Sequence, residues 1–126
     1  MKNLILLFLL LPAYAAVQPD MSGISQALRN GNADALGAYF GSSVEISILD
    51  KEDRYNKAEA VKVLKDFFTQ NRPSGFNPVH KGVSKGGNLH YSIGEMQTPK
   101  STYRVYLLLE EGQDNYIIQQ LRIDEQ

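Results

Sequence analysis

Two histidines, His80 and His90, lie ten residues apart in "FNPVHKGVSKGGNLHYSIG" and are the only imidazoles in the chain. Imidazole serves as a general base, a proton shuttle or a metal ligand at neutral pH. On alternating strands the two fall on opposite faces, and no cysteine exists to join them, so a zinc pair is not expected. Glu95, Tyr91 and Tyr103 are the other groups of the right type. A carboxylate base facing a tyrosine-centred donor in a dry cavity is the equipment for proton abstraction beside a carbonyl. Burial would raise the pKa of Glu95 and lower that of His80, the tuning such chemistry uses. The plainer reading is a sheet histidine whose ring bonds backbone or a tyrosine hydroxyl, and a Glu95 that reaches solvent near a strand end. Asp50, Glu52 and Asp53 lack the glycine and distal glutamate of a calcium loop and read as a solvated turn. "KGGN" has no helix behind it and is a hairpin turn rather than a phosphate cradle. No metal and no cofactor is expected.

These groups depend on the elements that carry them. "MKNLILLFLLLPAYAA" has a positive n-region at Lys2, an apolar core from Leu4 to Leu11 and the small-x-small cleavage pattern Ala13-Tyr14-Ala15. Residues 1–15 therefore read as a signal peptide and 16–20 as a flexible mature N-terminus, with residues 21–126 forming one domain of an exported, periplasmic or secreted protein. The apolar run is too short for a bilayer span of ~20 residues, so no membrane insertion is expected. The 126-residue chain contains no cysteine, so no disulfide framework supports it. The formal net charge is −1, with no clustered lysine and arginine, which argues against nucleic-acid partners.

From Met21 onward Ile24, Ala27 and Leu28 recur at helical spacing. Gly31 is placed to end that helix and Asn32 to cap the next, "ADALGAYF", with Gly41-Ser42-Ser43 breaking it. "VEISI" alternates as a half-buried strand, and "DKEDRYN" turns the chain. Asn56 and Glu59 form a capping box for a helix whose Ala60, Val63, Leu64 and Phe67 make one stripe, widened by Val61 and Phe68. Four strands follow at about 76–84, 89–98, 101–111 and 115–124, joined as antiparallel hairpins. Centring the first turn on Gly86-Gly87 sets Gly82 opposite Tyr91, His80 opposite Ile93 and Pro78 opposite Glu95. An odd second loop, pairing Tyr91 with Leu107 and Ile93 with Val105, gathers the apolar residues on one face, whereas an even loop sets Arg104 across from Glu95 and scatters them. The odd loop is expected. A bulge near Gln119-Gln120 reconciles the split pattern of the last strand.

The fold class is thus α+β, with N-terminal helices packed on a curled antiparallel sheet. The stretches "ALRNGNADALGAYF", "VEISI", "AEAVKVLKDFF" and "YRVYLLLEEGQDNYIIQQLRI" resemble the nuclear transport factor 2-like, cystatin-like cone superfamily. Within it, "FNPVHKG", "YSIGEMQT" and "YRVYLLL" are similar to a group of small exported bacterial proteins of unknown function. The resemblance implies a pocket between the sheet's concave face and the helices, and a homodimer through the outer face of the sheet. The expected register places His80, Tyr91, Glu95 and Tyr103 on the concave face, with Phe40 and Phe67 completing a candidate ligand pocket. It places His90, Arg104, Tyr106 and Leu108 on the outer face as a candidate interface, and leaves room over Gly94 for the Arg104 side chain. A non-catalytic domain binding a small apolar or amphipathic ligand, or a partner segment, is the leading expectation. An isomerase or lyase using Glu95 with His80 or Tyr91 is the alternative, and a dimeric interaction protein the third.

Overall fold

A computed structural model describes residues 20–126. The expected signal peptide, and the loose stretch up to Pro19, lie outside the described residues. The elements run α1 (Ser22–Asn30), α2 (Ala33–Gly37), β1 (Phe40–Ile48), β2 (Lys51–Asn56), α3 (Lys57–Gln70), β3 (Gly75–Val83), β4 (Leu89–Gln97), β5 (Thr102–Glu111) and β6 (Tyr116–Glu125). The strands form one six-stranded sheet in the order β2-β1-β6-β5-β4-β3. Among the described residues no helix is long and apolar enough to cross a membrane.

The helix boundaries follow local chemistry. Gly31 takes the left-handed conformation (φ 62°) that ends α1. Asn32 Oδ1 accepts the Ala35 N–H at 3.0 Å to start α2. The capping box of α3 is present in both directions: Asn56 Oδ1 accepts the Glu59 N–H at 2.8 Å, and Glu59 Oε1 accepts the Asn56 N–H at 3.3 Å. Its buried stripe is Ala60, Leu64, Phe67 and Phe68. The second helix is shorter than its sequence suggests. It ends at Gly37, and Phe40 to Ser43 already belong to β1, because the Tyr39 carbonyl accepts the Ile118 N–H at 2.8 Å and draws the chain into the sheet.

β1 and β2 form a hairpin with Ile48 opposite Lys51. Its two turn residues, Leu49 (φ 50°) and Asp50 (φ 71°), both have the positive φ that a two-residue type I′ turn requires. All strand pairs are antiparallel except β1 with β6, where Ile46 lies beside Leu121 and Ile48 beside Ile123 in a parallel ladder. This parallel pair was not part of the sequence expectation. It joins the first hairpin to the rest of the sheet.

The Gly86-Gly87 turn sets Gly82 opposite Tyr91 and His80 opposite Ile93 as expected. A bulge between Pro78 and His80 then shifts the pairing, so Asn77 rather than Pro78 faces Glu95. The bulge in β6 also forms: Leu108 pairs with Gln120 and Leu109 with Ile118, leaving Gln119 over and turning Ile118, Leu121 and Ile123 to one face.

The second hairpin corrects the expectation. Its loop is even, with Gln97 opposite Thr102, Glu95 opposite Arg104, Ile93 opposite Tyr106 and Tyr91 opposite Leu108. The Thr98 hydroxyl fixes this loop by accepting the N–H groups of Lys100 (3.3 Å) and Ser101 (3.1 Å). On β4 the residues facing the helices are consequently His90, Ser92, Gly94 and Met96. Glycine suits position 94 because Phe76 of β3, 1% exposed, lies over it, and a Cβ there would run into the ring. The core is completed by Tyr103, Val105, Leu107 and Leu109 of β5 against Ile24, Leu28, Leu36, Leu64 and Phe67.

Candidate functional site

The even register exchanges the faces of the β4 residues. His80, Tyr91 and Glu95, expected to line the pocket, stand on the outer face of the sheet, whereas His90, expected at the outer interface, faces the helices. Arg104, Tyr106 and Leu108 are on the outer face as expected. Tyr103, at 3% exposed, and Phe40, at 4%, are packed into the core, and neither borders any of the cavities described below. Phe67 is buried too, but its edge borders a groove of about 440 Å³ between α3 and the first hairpin, with Ile46, Ile48, Leu49, Tyr55 and Val63.

On the outer face His80 Nε2 and Tyr91 Oη share a hydrogen bond of 3.1 Å. Gly82 makes this possible: the Tyr91 ring lies across its bare backbone, where a Cβ would collide with the ring. Glu95 Oε1 accepts a hydrogen bond from Gln126 Nε2 at 3.1 Å. His80 is exposed, and neither it nor Glu95 borders a described cavity. The water-free enclosure that the isomerase-type reading needs is therefore lacking around His80 and Glu95. No group of three potential metal ligands occurs among the described residues, Asp50, Glu52 and Asp53 included.

The helix-facing side holds a different constellation. Beside the start of α1 and the adjoining ends of β3, β4 and β5 lies a cavity of about 320 Å³, lined by Met21, Val83, His90, Ser92, Leu109 and Tyr116, with Asp20, Lys81, Gly82 and Tyr91, the last an expected pocket residue, at its border. Ser92 is 2% exposed, and its hydroxyl has no hydrogen-bond partner among the described residues. His90 Nε2 is likewise buried and unbonded. Its nearest charged neighbour, Glu111 Oε1, is 3.7 Å away, beyond hydrogen-bond reach and an ion pair only when the imidazole is protonated. The His90 ring meets Tyr116 edge-on, with centroids 5.2 Å apart.

Burial raises the pKa of Tyr116 above the usual phenol value, and the charges of Glu111 and Asp20 push it the same way. Tyr116 thus keeps its proton and remains a donor. Asp20 moves in the opposite direction, its carboxylate favoured by hydrogen bonds from the Ser22 hydroxyl (2.6 Å) and N–H (3.0 Å). Buried polar groups are normally paired, so two unpaired ones on the wall of one cavity mark a place where a ligand or water completes the bonding. Sequence reasoning missed Ser92 because it took the bulky set Tyr91 and Ile93 as the inward one. The "TPKS" loop and the Glu95–Arg104 pairing were the signals for the other register.

The family model described as "Domain of unknown function (DUF4783)" matches residues 21–124. A DUF4783 family protein from Bacteroides ovatus superposes with a TM-score of 0.79 at 30% identity, covering 86% of this chain and 97% of that one. An NTF-2-like protein of unknown function from Silicibacter pomeroyi superposes with a TM-score of 0.62 at 11% identity over 84% of this chain and 89% of its own. A domain of unknown function with a cystatin-like fold from Nostoc punctiforme gives 0.64 at 11% identity, over 83% and 72% of the two chains. At that identity the last two show the fold alone. No curated protein matches the chain. The chain belongs to the DUF4783 family, domains of unknown function, and carries the nuclear transport factor 2-like α+β fold.

Proposed function

We propose that the domain is a non-catalytic binding module that takes a small amphipathic molecule into the cavity beside the start of α1. The observation that carries this reading is Ser92, a hydroxyl in a 2% exposed residue with no partner among the described residues, on the wall of a cavity of about 320 Å³. That volume lies within the range of small-ligand sites, and a mainly apolar lining with a few polar groups is their usual composition. Met21, Val83 and Leu109 supply the apolar part, His90 and Ser92 the polar part. The leader motif at residues 1–15 suits a protein that works outside the cytoplasm. Native mass spectrometry of the protein purified gently from its producing cells tests the binding reading. A retained small molecule whose loss follows Ser92→Ala or Val83→Trp supports it. A bare protein that also binds nothing from a set of amphipathic compounds ends it.

A second reading, association of two copies through the outer face, rests on a separate observation. Tyr91 beside Leu108 and Ile93 beside Tyr106 form a half-buried apolar row, and Glu95 stands next to Arg104 at its end. A two-fold axis through the row would set each Arg104 against the Glu95 of the other copy, an isologous contact. Sedimentation at rising concentration tests it: a dimer that Arg104→Glu and Tyr106→Glu dissociate is the expected result, and a monomer throughout excludes it.

A further inference from the structure

Resting on the binding reading above, we infer that the ligand presents a neutral, hydroxyl-bearing head to His90 and Ser92 and an apolar body to Met21, Val83 and Leu109. The Ser92 hydroxyl carries one hydrogen that needs an acceptor and lone pairs that accept, and His90 Nε2 donates or accepts according to its tautomer. A wholly apolar ligand would leave both unpaired in the wall, which costs affinity.

An anionic head meets the wrong field. Asp20 and Glu111 both act on Tyr116 at the cavity edge, and Glu111 stands 3.7 Å from His90 Nε2. Among the described residues Lys81 is the one cation bordering the cavity, and its side chain belongs to an exposed residue in water. A cationic head fails on bonding rather than on field: an ammonium offers donors and no acceptor, so the Ser92 hydrogen stays unpaired. A hydroxyl donates and accepts at once. It satisfies Ser92, His90 in either tautomer, the protonated Tyr116 hydroxyl and the Glu111 carboxylate. Ser92 and His90 lie two residues apart on one strand, about 6.6–6.8 Å along it, so a head with several hydroxyls reaches both.

Three probes with one tail separate the alternatives: octyl glucoside, octanoate and octylammonium, each below its micellar range, titrated by calorimetry with proton NMR of the His90 ring to locate the site. Octyl glucoside should bind at least about tenfold more tightly than either charged probe, shift the His90 resonances, and lose about tenfold in Ser92→Ala, the worth of one buried hydrogen bond. Tighter or equal binding of octanoate or octylammonium at His90 overturns the head-group inference while leaving the cavity reading in place. Binding of the glucoside without a His90 shift, or without a loss in Ser92→Ala, also overturns it. Failure of all three probes, in the natural protein and with unchanged His90 resonances, overturns both. Val83→Trp, at a 58% exposed position, serves as a second variant that should block entry of the glucoside without touching the buried hydroxyl.

Discussion

The Tyr103 hydroxyl donates to Asn71 Oδ1 at 3.0 Å, tying the middle of the sheet to the last turn of α3. Asn71 Nδ2 in turn donates to the Phe67 carbonyl at 3.1 Å, and the Phe67 ring meets Tyr103 edge-on at 5.3 Å. Both residues are buried, so removing one partner strands the other. Tyr103→Phe keeps the ring packing and loses only the bond. It should cost about 1–3 kcal/mol in urea unfolding, and an unchanged midpoint would show the bond to be energetically idle.

Gly94 lies beneath the Phe76 ring. Gly94→Ala should destabilise by about 1–3 kcal/mol through overpacking, because the neighbouring Asn77 carbonyl, 2.9 Å from the added carbon, also blocks retreat. Adding Phe76→Leu should recover part of that loss. Equal costs in the single and double variants would refute the steric account.

Leu49 sits at φ 50° with 45% of its surface exposed, a conformation that costs an L-residue free energy without much burial in return. Leu49→Asn should stabilise the fold by about 0.5–1 kcal/mol, since asparagine tolerates that region and keeps the N–H that donates to the Ile123 carbonyl at 2.9 Å. A lower melting temperature in the variant would mean that the side chain contributes to the groove beside it.

Glu52 lies diagonal to Glu45 on the adjacent strand; hydrogen bonding to its carboxyl, then burial and the charge of Glu52, raise the pKa of Glu45 above the usual glutamate value, and Arg54 and Arg122 oppose the shift. The folded state therefore holds this proton more tightly than the unfolded chain. Its contribution is favourable below the ordinary carboxylate range and is lost as pH rises through the raised value. Glu45→Gln should flatten that part of the stability curve and leave the variant the more stable at pH 7, by less than about 1 kcal/mol because solvent screens the pair. Parallel curves for the two proteins from pH 4 to 7 would contradict the pairing.

Ser92→Ala should raise stability by about 1 kcal/mol while weakening ligand binding, because an unpaired buried hydroxyl is costly to the empty fold. Chemical denaturation without ligand decides this. A loss of stability would mean that ordered water already satisfies the hydroxyl.

Much of the architecture was legible from short-range chemistry. Asn56 with Glu59, Gly31 with Asn32, the Gly86-Gly87 turn and the split pattern around Gln119 each specify a local geometry, and each formed. The candidate site was not legible, because one register choice decided it. Tyr91 and Ile93 are bulky residues of β4 and read as its buried set, yet the even loop that pairs Gln97 with Thr102 turns Ser92 and Gly94 inward, Gly94 fitting beneath Phe76. The apolar pattern of a strand indicates the buried face only once its pairing register is fixed. The β1–β6 pair was invisible for another reason: no local signal joins segments so far apart in the chain.

That parallel pair also sets an order of events. β6 lies between β1 and β5, so the first hairpin has no inner neighbour until residues 116–125 have been synthesised. A growing chain can complete α3 and pair β3 with β4, but it must hold the Ile46 and Ile48 edge open meanwhile. Closing so long a loop makes this step late and slow. The sheet thus closes last where β6 meets β1, and a chain halted before β6 presents an unpaired apolar edge to whatever it meets.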